Sequence, residues 1–138
     1  MPAGKAFLDA NILVYAQDRD SAAKRRRSRE VIAALAEAGT GVISTQVLQE
    51  FYVAVTRKLG VAPLAAKSVL QTFRVFEIVQ TSPDLIDSAI DGSVLNGIAF
   101  WDALIVAAAA ASGCAVVYSE DLNAGQVIQG VRIENPFA

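Results

Sequence analysis

Short apolar runs alternate with longer helix-patterned segments along this chain, and no other feature constrains its fold more. Residues 5–8 form an apolar run that ends in Asp9 and predict a first strand. Residues 21–38 predict a helix with Val31, Ile32 and Leu35 on one face, ended by Gly39 and Gly41. A second strand is expected over 41–44. Ser44 or Thr45 then caps a helix running to about Leu59, before Gly60. Residues 64–76 read as another amphipathic helix, and 76–79 as a third strand. Ser82-Pro83-Asp84 is a cap with proline in the first turn, opening a helix to about Leu95. Residues 101–112 are apolar on nearly every side, which predicts a central helix. Buried strands follow at 115–118 and 131–133. Strands separated by helices imply an α/β domain, a parallel sheet covered on both faces. The chain has 138 residues, no repeat and no linker, so residues 1–138 are expected to form a single domain.

Composition narrows the chemistry. The chain contains no histidine, which removes Ser-His-Asp and Cys-His mechanisms and any zinc site built on imidazole. Cys114 is the sole cysteine, so no intramolecular disulfide can form, and its setting before Ala-Val-Val suits a buried thiol. The longest apolar run, 103–111, is too short to cross a bilayer. Residues 1–5 lack the pattern of a signal peptide, and a cytoplasmic protein is expected. The net charge of −2 says little about nucleic acid, because clustered positive charge matters more than the total.

Four acidic residues stand at the ends of the expected elements: Asp9, Glu50, Asp102 and Asp121. Three of them interrupt strongly apolar stretches, where an unpaired carboxylate is costly. Ligands of open α/β sheets bind beyond the carboxyl ends of the strands. Asp9 and Asp121 each follow an apolar strand, Asp102 opens a helix, and Glu50 borders the Val47, Leu48, Phe51 and Val55 face of its own. All four are compatible with one cleft, and four gathered carboxylates would call for a cation. Each also has a plainer reading: Asp9 and Asp102 as helix caps, Glu50 as a half-exposed helix residue, Asp121 as a turn residue.

These stretches also carry a resemblance. The runs Phe7-Leu8-Asp9-Ala10-Asn11-Ile12-Leu13-Val14-Tyr15, Ser44-Thr45-Gln46-Val47-Leu48-Gln49-Glu50-Phe51, Trp101-Asp102-Ala103-Leu104-Ile105, Ser119-Glu120-Asp121-Leu122-Asn123 and Asn135-Pro136-Phe137 occur in the order seen in PIN-domain nucleases. The chain most resembles the VapC-type toxins of bacterial toxin–antitoxin pairs, essentially end to end. The resemblance implies a three-layer α/β/α PIN-like domain with a short parallel sheet flanked by helices. It matches Asp9, Glu50, Asp102 and Asp121 to the family's acidic metal site, and Asn11 and Asn123 to its polar neighbours. It implies an RNA substrate, products with 5′-phosphate and 3′-hydroxyl ends, a cognate antitoxin whose tail occupies the cleft, and a homodimer. The apolar helices at 51–59 and 64–76 have surface for such contacts, although a core would use the same residues.

Carboxylates without imidazole favour hard cations, Mg2+ or Mn2+. Such an ion acidifies water and stabilises charge on a phosphoryl transition state, so the expected reaction is metal-assisted hydrolysis of an RNA phosphodiester. Asn11 and Ser119 are candidates for orienting a water there. The main positive cluster, Lys24-Arg25-Arg26-Arg27-Ser28-Arg29, turns about 100° per residue and cannot all face one way. Arg26 and Arg29 lie opposite Val31 and Leu35, and Arg26 can pair with Glu30. The cluster reads as a solvated face or, with Arg57, Lys58 and Arg74, as phosphate contacts that offset the acids' repulsion of RNA. Trp101 could stack on a base, but is expected to pack into the core. Two other readings are open. A haloacid-dehalogenase-like phosphatase also begins strand–Asp-x-Asp, but position 11 is Asn and no lysine follows a strand at the required place. A nucleic-acid-binding module without catalysis would use the basic helix alone, and would keep its affinity in EDTA.

Overall fold

A computed structural model describes residues 4–138; residues 1–3, part of the segment read above as lacking a signal peptide, lie outside it. The order of elements is β1 (Ala6–Leu8), α1 (Ala10–Tyr15), α2 (Ala22–Ala38), β2 (Gly41–Ser44), α3 (Thr45–Arg57), α4 (Pro63–Thr72), a 3-10 turn (Phe73–Val75), β3 (Glu77–Val79), α5 (Pro83–Asn96), α6 (Phe100–Ala111), β4 (Val116–Tyr118), β5 (Val127–Ile128) and β6 (Val131–Glu134). The strands form one sheet in the order β3-β2-β1-β4-β6-β5. Every pairing is parallel except β5 with β6, which is antiparallel.

Every residue of β1 and β2 is buried. Successive strand residues point to opposite faces, so helices must cover both sides of the sheet centre. This is the expected α/β architecture. α6 is buried along Ala103–Ala109 and touches β2, β4 and β6, as its all-round apolar sequence predicts. Its small alanines let it pack closely on α5. Phe51 of α3 is fully buried and meets Phe73 edge-to-face, ring centroids 5.1 Å apart. Cys114 is a buried free thiol beside the Ser112 hydroxyl.

The local rules account for most boundaries. Ser44 accepts from Val47 N–H and Ser82 from Leu85 N–H, so both caps are the expected ones. Gly39 ends α2 with φ +70, a left-handed conformation that costs glycine little. Some expectations change. The helix expected over 64–76 stops at Thr72 and tightens into the 3-10 turn, whose end frees the chain for β3. The helix Ala10–Tyr15, raised only as a plainer role for Asp9, is real. β5 was not anticipated, since two residues carry no periodicity. Among the described residues no single helix is long and apolar enough to cross a membrane.

Candidate active site

From β1 the sheet extends through β2 to β3 on one side and through β4 to β6 on the other. That reversal makes a switch point between β1 and β4, where the ends of neighbouring strands diverge and leave a crevice. Leu8 pairs with Tyr118, so Asp9 and Ser119 emerge side by side at the carboxyl edge. A cleft of about 910 Å3 opens there, and Asp9, Asn11, Glu50, Asp102 and Asp121 all line it.

Asp9 lies at the floor, 8% exposed. Its Oδ1 accepts from Ala10 N–H at 2.7 Å, and its Oδ2 accepts from Ser119 Oγ–H at 2.8 Å. It is therefore both the N-cap of α1 and a cleft residue, so the plainer reading and the functional one hold together. The Asn11 amide reaches Asp9 Oδ2 at 3.3 Å and Asp121 Oδ2 at 3.2 Å, while its carbonyl accepts from Glu120 N–H at 3.1 Å. Ser119 is fully buried, and its Oγ accepts from the N–H groups of Asp121 and Leu122, which folds the 119–122 loop back over the strand end.

Glu50 projects from the second turn of α3 beside Gln46. Gln46 Nε2 donates to Trp101 O at 3.1 Å and lies 3.5 Å from Glu50 Oε2, so it links α3 to the start of α6. Gln46 is 5% exposed, and its Oε1 has no hydrogen-bond partner among the described residues. It had no place in the expected site, and a polar residue four before Glu50 in a buried helix was the available signal. Asp102 is the third residue of α6, whose N-cap is Ala99, so it is not the cap of its helix. It sits in the first turn, where free N–H groups favour negative charge.

Burial first, and neighbouring carboxylates second, raise the proton affinity of Asp9, Glu50 and Asp102. Burial pushes the Asp9 carboxyl up; its bonds from Ser119 and Ala10 oppose this, and repulsion from Asp121 and Asp102 adds to it. Glu50 is raised by burial and then by Asp9, and Asp102 by burial and then by Asp121. None of the four is in an ion pair among the described residues. They line one cleft without closing into a ready-made coordination cage. An all-oxygen set with unbalanced negative charge and no imidazole or thiolate fits a hard divalent cation.

The other expected residues divide. Asn123 is exposed, does not line the cleft, and accepts from Gln126 N–H through its backbone. Trp101 is 61% exposed and lines the cleft, which corrects its expected place in the core. As the second residue of α6 it precedes the buried stretch, and its ring meets that of its neighbour Phe100 edge-to-face. Arg57 lines the cleft with Lys58. Arg26 is exposed and does not line this cleft, and Glu30 pairs instead with Arg27, one turn away at i,i+3. Arg29 donates to Ala16 O at 2.9 Å. Arg74 lies in the 3-10 turn and does not line the cleft. Lys24 pairs with Glu120, contacts Tyr15 OH, and sits over the Tyr15 and Phe137 rings at 4.8 and 5.5 Å. Burial raises Glu120, but Lys24 and the Tyr15 hydroxyl outweigh it and hold its carboxyl below the usual range.

The PIN domain profile matches residues 6–127. The chain belongs to the PIN-domain family. No curated protein sequence matches it. Solved structures do resemble this PIN domain. The VapC20 toxin of Mycobacterium tuberculosis, described as cleaving the sarcin-ricin loop, superposes with a TM-score of 0.70 at 19% identity, over 85% of this chain and 90% of its own. A toxin–antitoxin complex from Klebsiella pneumoniae gives 0.71 at 20% identity, over 96% and 98%. VapBC2 of Rickettsia felis, bound to a DNA fragment from its promoter, gives 0.68 at 23% identity, over 94% and 97%. These TM-scores, at identities this low, establish a common fold and nothing finer.

Proposed function

We propose that this PIN-domain protein is a metal-dependent endoribonuclease and the toxin of a toxin–antitoxin pair, with the activity carried by residues 1–138 as one domain. The observation that carries the reading is the cleft at the β1–β4 switch, where Asp9, Glu50, Asp102 and Asp121 face one space and form no ion pair among the described residues. Mg2+ or Mn2+ held by these carboxylates would supply the positive charge that a phosphodiester needs to be attacked and to release its leaving oxygen. The chain's own residues do the rest. The Ser119 hydroxyl and Ala10 N–H fix both Asp9 oxygens, leaving a preset orientation at the cleft floor. The Asn11 amide spans Asp9 and Asp121, and so sets the separation of two repelling carboxylates. Gln46 positions the Glu50 side of the cleft against α6. Arg57 and Lys58 on the rim lessen the repulsion between the acids and an incoming phosphate backbone.

The RNA substrate and the antitoxin partner follow from the similarity in fold to the VapC20 toxin and to toxin–antitoxin complexes. The test is induction of the chain in a bacterial host. Growth arrest with new RNA 5′-phosphate ends, both lost in Asp121→Asn and both prevented by a co-expressed neighbouring-gene product, is the expected result. Unimpeded growth with unchanged RNA ends, from protein shown to accumulate folded, overturns the proposal.

A further inference from the structure

The acidic cleft continues past its carboxylates. Asp18, Lys58 and Leu59 line it and also line a second cleft of about 640 Å3, so the two join where α1 gives way to α2. Arg19, Arg25, Arg29 and Lys58 all face this second space. Among the described residues, only Asp18 and Asp20 oppose them there. Asp18 is already engaged, accepting from Asp20 N–H at 3.0 Å and from Ser21 Oγ–H at 3.2 Å. Among the described residues none of the four cations forms an ion pair. In a chain with 14 acidic and 12 basic residues, four unpaired cations along one groove are not explained by excess positive charge.

We infer that this groove is a phosphate track, which holds the RNA strand beside the bond being cut. The inference rests on the nuclease reading above. A strand entering a cleft of four carboxylates meets repulsion, and phosphates further along it can offset that only by meeting cations close by. The groove supplies them in direct continuity with the acids. The apolar side chains of Leu59, Val61 and Val69 give it a wall against which a sugar or base can lie. The basic run of α2 divides accordingly. Arg25 and Arg29 face the track, Lys24 and Arg27 bind the 120 loop and Pro136 O, and Arg26 faces solvent.

The test is binding of a short fluorescent single-stranded RNA to the Asp102→Asn protein, which keeps the RNA intact, over a salt series. Arg19→Ala/Arg25→Ala/Lys58→Ala leaves the Arg29–Ala16 bond in place. Arg26→Ala/Lys67→Ala/Arg74→Ala removes the same charge from outside both clefts. Each lost phosphate contact lowers the slope of log affinity against log salt by about 0.7. The groove variant should lose about two units of slope and at least about tenfold in affinity at low salt, while the matched variant stays near wild type. Equal losses in the two variants, no loss in the groove variant, or no RNA binding at all overturns the track. Loss of binding to poly-glutamate with RNA binding intact overturns it too, and assigns the groove to an acidic protein. Cleavage by the wild-type protein, run in parallel, separates the outcomes: RNA bound along the groove but never cut leaves the track standing and removes the nuclease reading.

Discussion

At Asp9 two effects oppose each other. Ser119 and Ala10 stabilise the charged carboxylate by hydrogen bonds, whereas burial and the nearby Asp102 and Asp121 favour the protonated form and prevail. Glu50 and Asp102 are raised as well. A raised folded-state pKa means that, between the ordinary carboxylate range and the raised value, the folded protein holds more protons than the unfolded chain. Stability then falls as pH rises through that window. Metal-free protein should melt lower as the pH climbs through it, and Glu50→Gln should fall less. Near neutral pH without metal, Glu50→Gln should melt higher than wild type by on the order of a few °C. Mg2+ or Mn2+ should raise the wild-type midpoint and reverse that order. Thermal melts across pH, with metal and with EDTA, read both effects. Gln46 gives a second prediction at this scale. Gln46→Ala removes the link between Glu50 and Trp101 O and should weaken Mn2+ binding by about 10- to 100-fold, as loss of an orienting partner typically does. Calorimetric titration with Mn2+ measures it, with an unchanged melting midpoint in EDTA separating positioning from folding.

The elements were legible where one signal dominated. β1 was visible as a short apolar run that Asp9 stops, α5 from its Ser82-Pro83 start, and α6 from its unbroken apolar sequence. Pairing details were not, because side chains choose among neighbours that the sequence leaves equal. Glu30 takes Arg27 rather than Arg26, and Trp101 turns to the cleft although its composition matches the core. Gln46 was missed because its place four residues before Glu50 gains meaning only once Trp101 O of α6 is known to lie within its reach. Close approach between elements was equally hidden. A Cβ on Gly41 would meet the Phe76 ring at 2.5 Å and Leu35 Cβ at 3.2 Å, where β2 passes under α2 and the end of the 3-10 turn. Gly41→Ala should cost about 1–3 kcal/mol through overpacking, while Gly60→Ala, with nothing within 4 Å, costs only its backbone strain at φ +68. Urea unfolding of the two variants checks the contrast.

Across the whole molecule, the switch in strand order creates the crevice, and the cleft and cationic groove on either side of the α1–α2 turn give it opposite charge along its length. The same arrangement keeps the 119–122 loop in place, since Lys24 and Tyr15 bind Glu120 from α2 and α1. The four carboxylates are proposed to perform metal-dependent hydrolysis of RNA. Digestion of purified total RNA by wild type and Asp102→Asn, with Mg2+, Mn2+ or EDTA and with the new ends mapped, tests it most directly. Discrete cuts bearing 5′-phosphates are expected with either metal, none in EDTA, and a loss on the order of 100-fold or more in Asp102→Asn. Cuts that persist in EDTA or at wild-type rate in Asp102→Asn, or no cuts from folded wild-type protein with either metal, would contradict it.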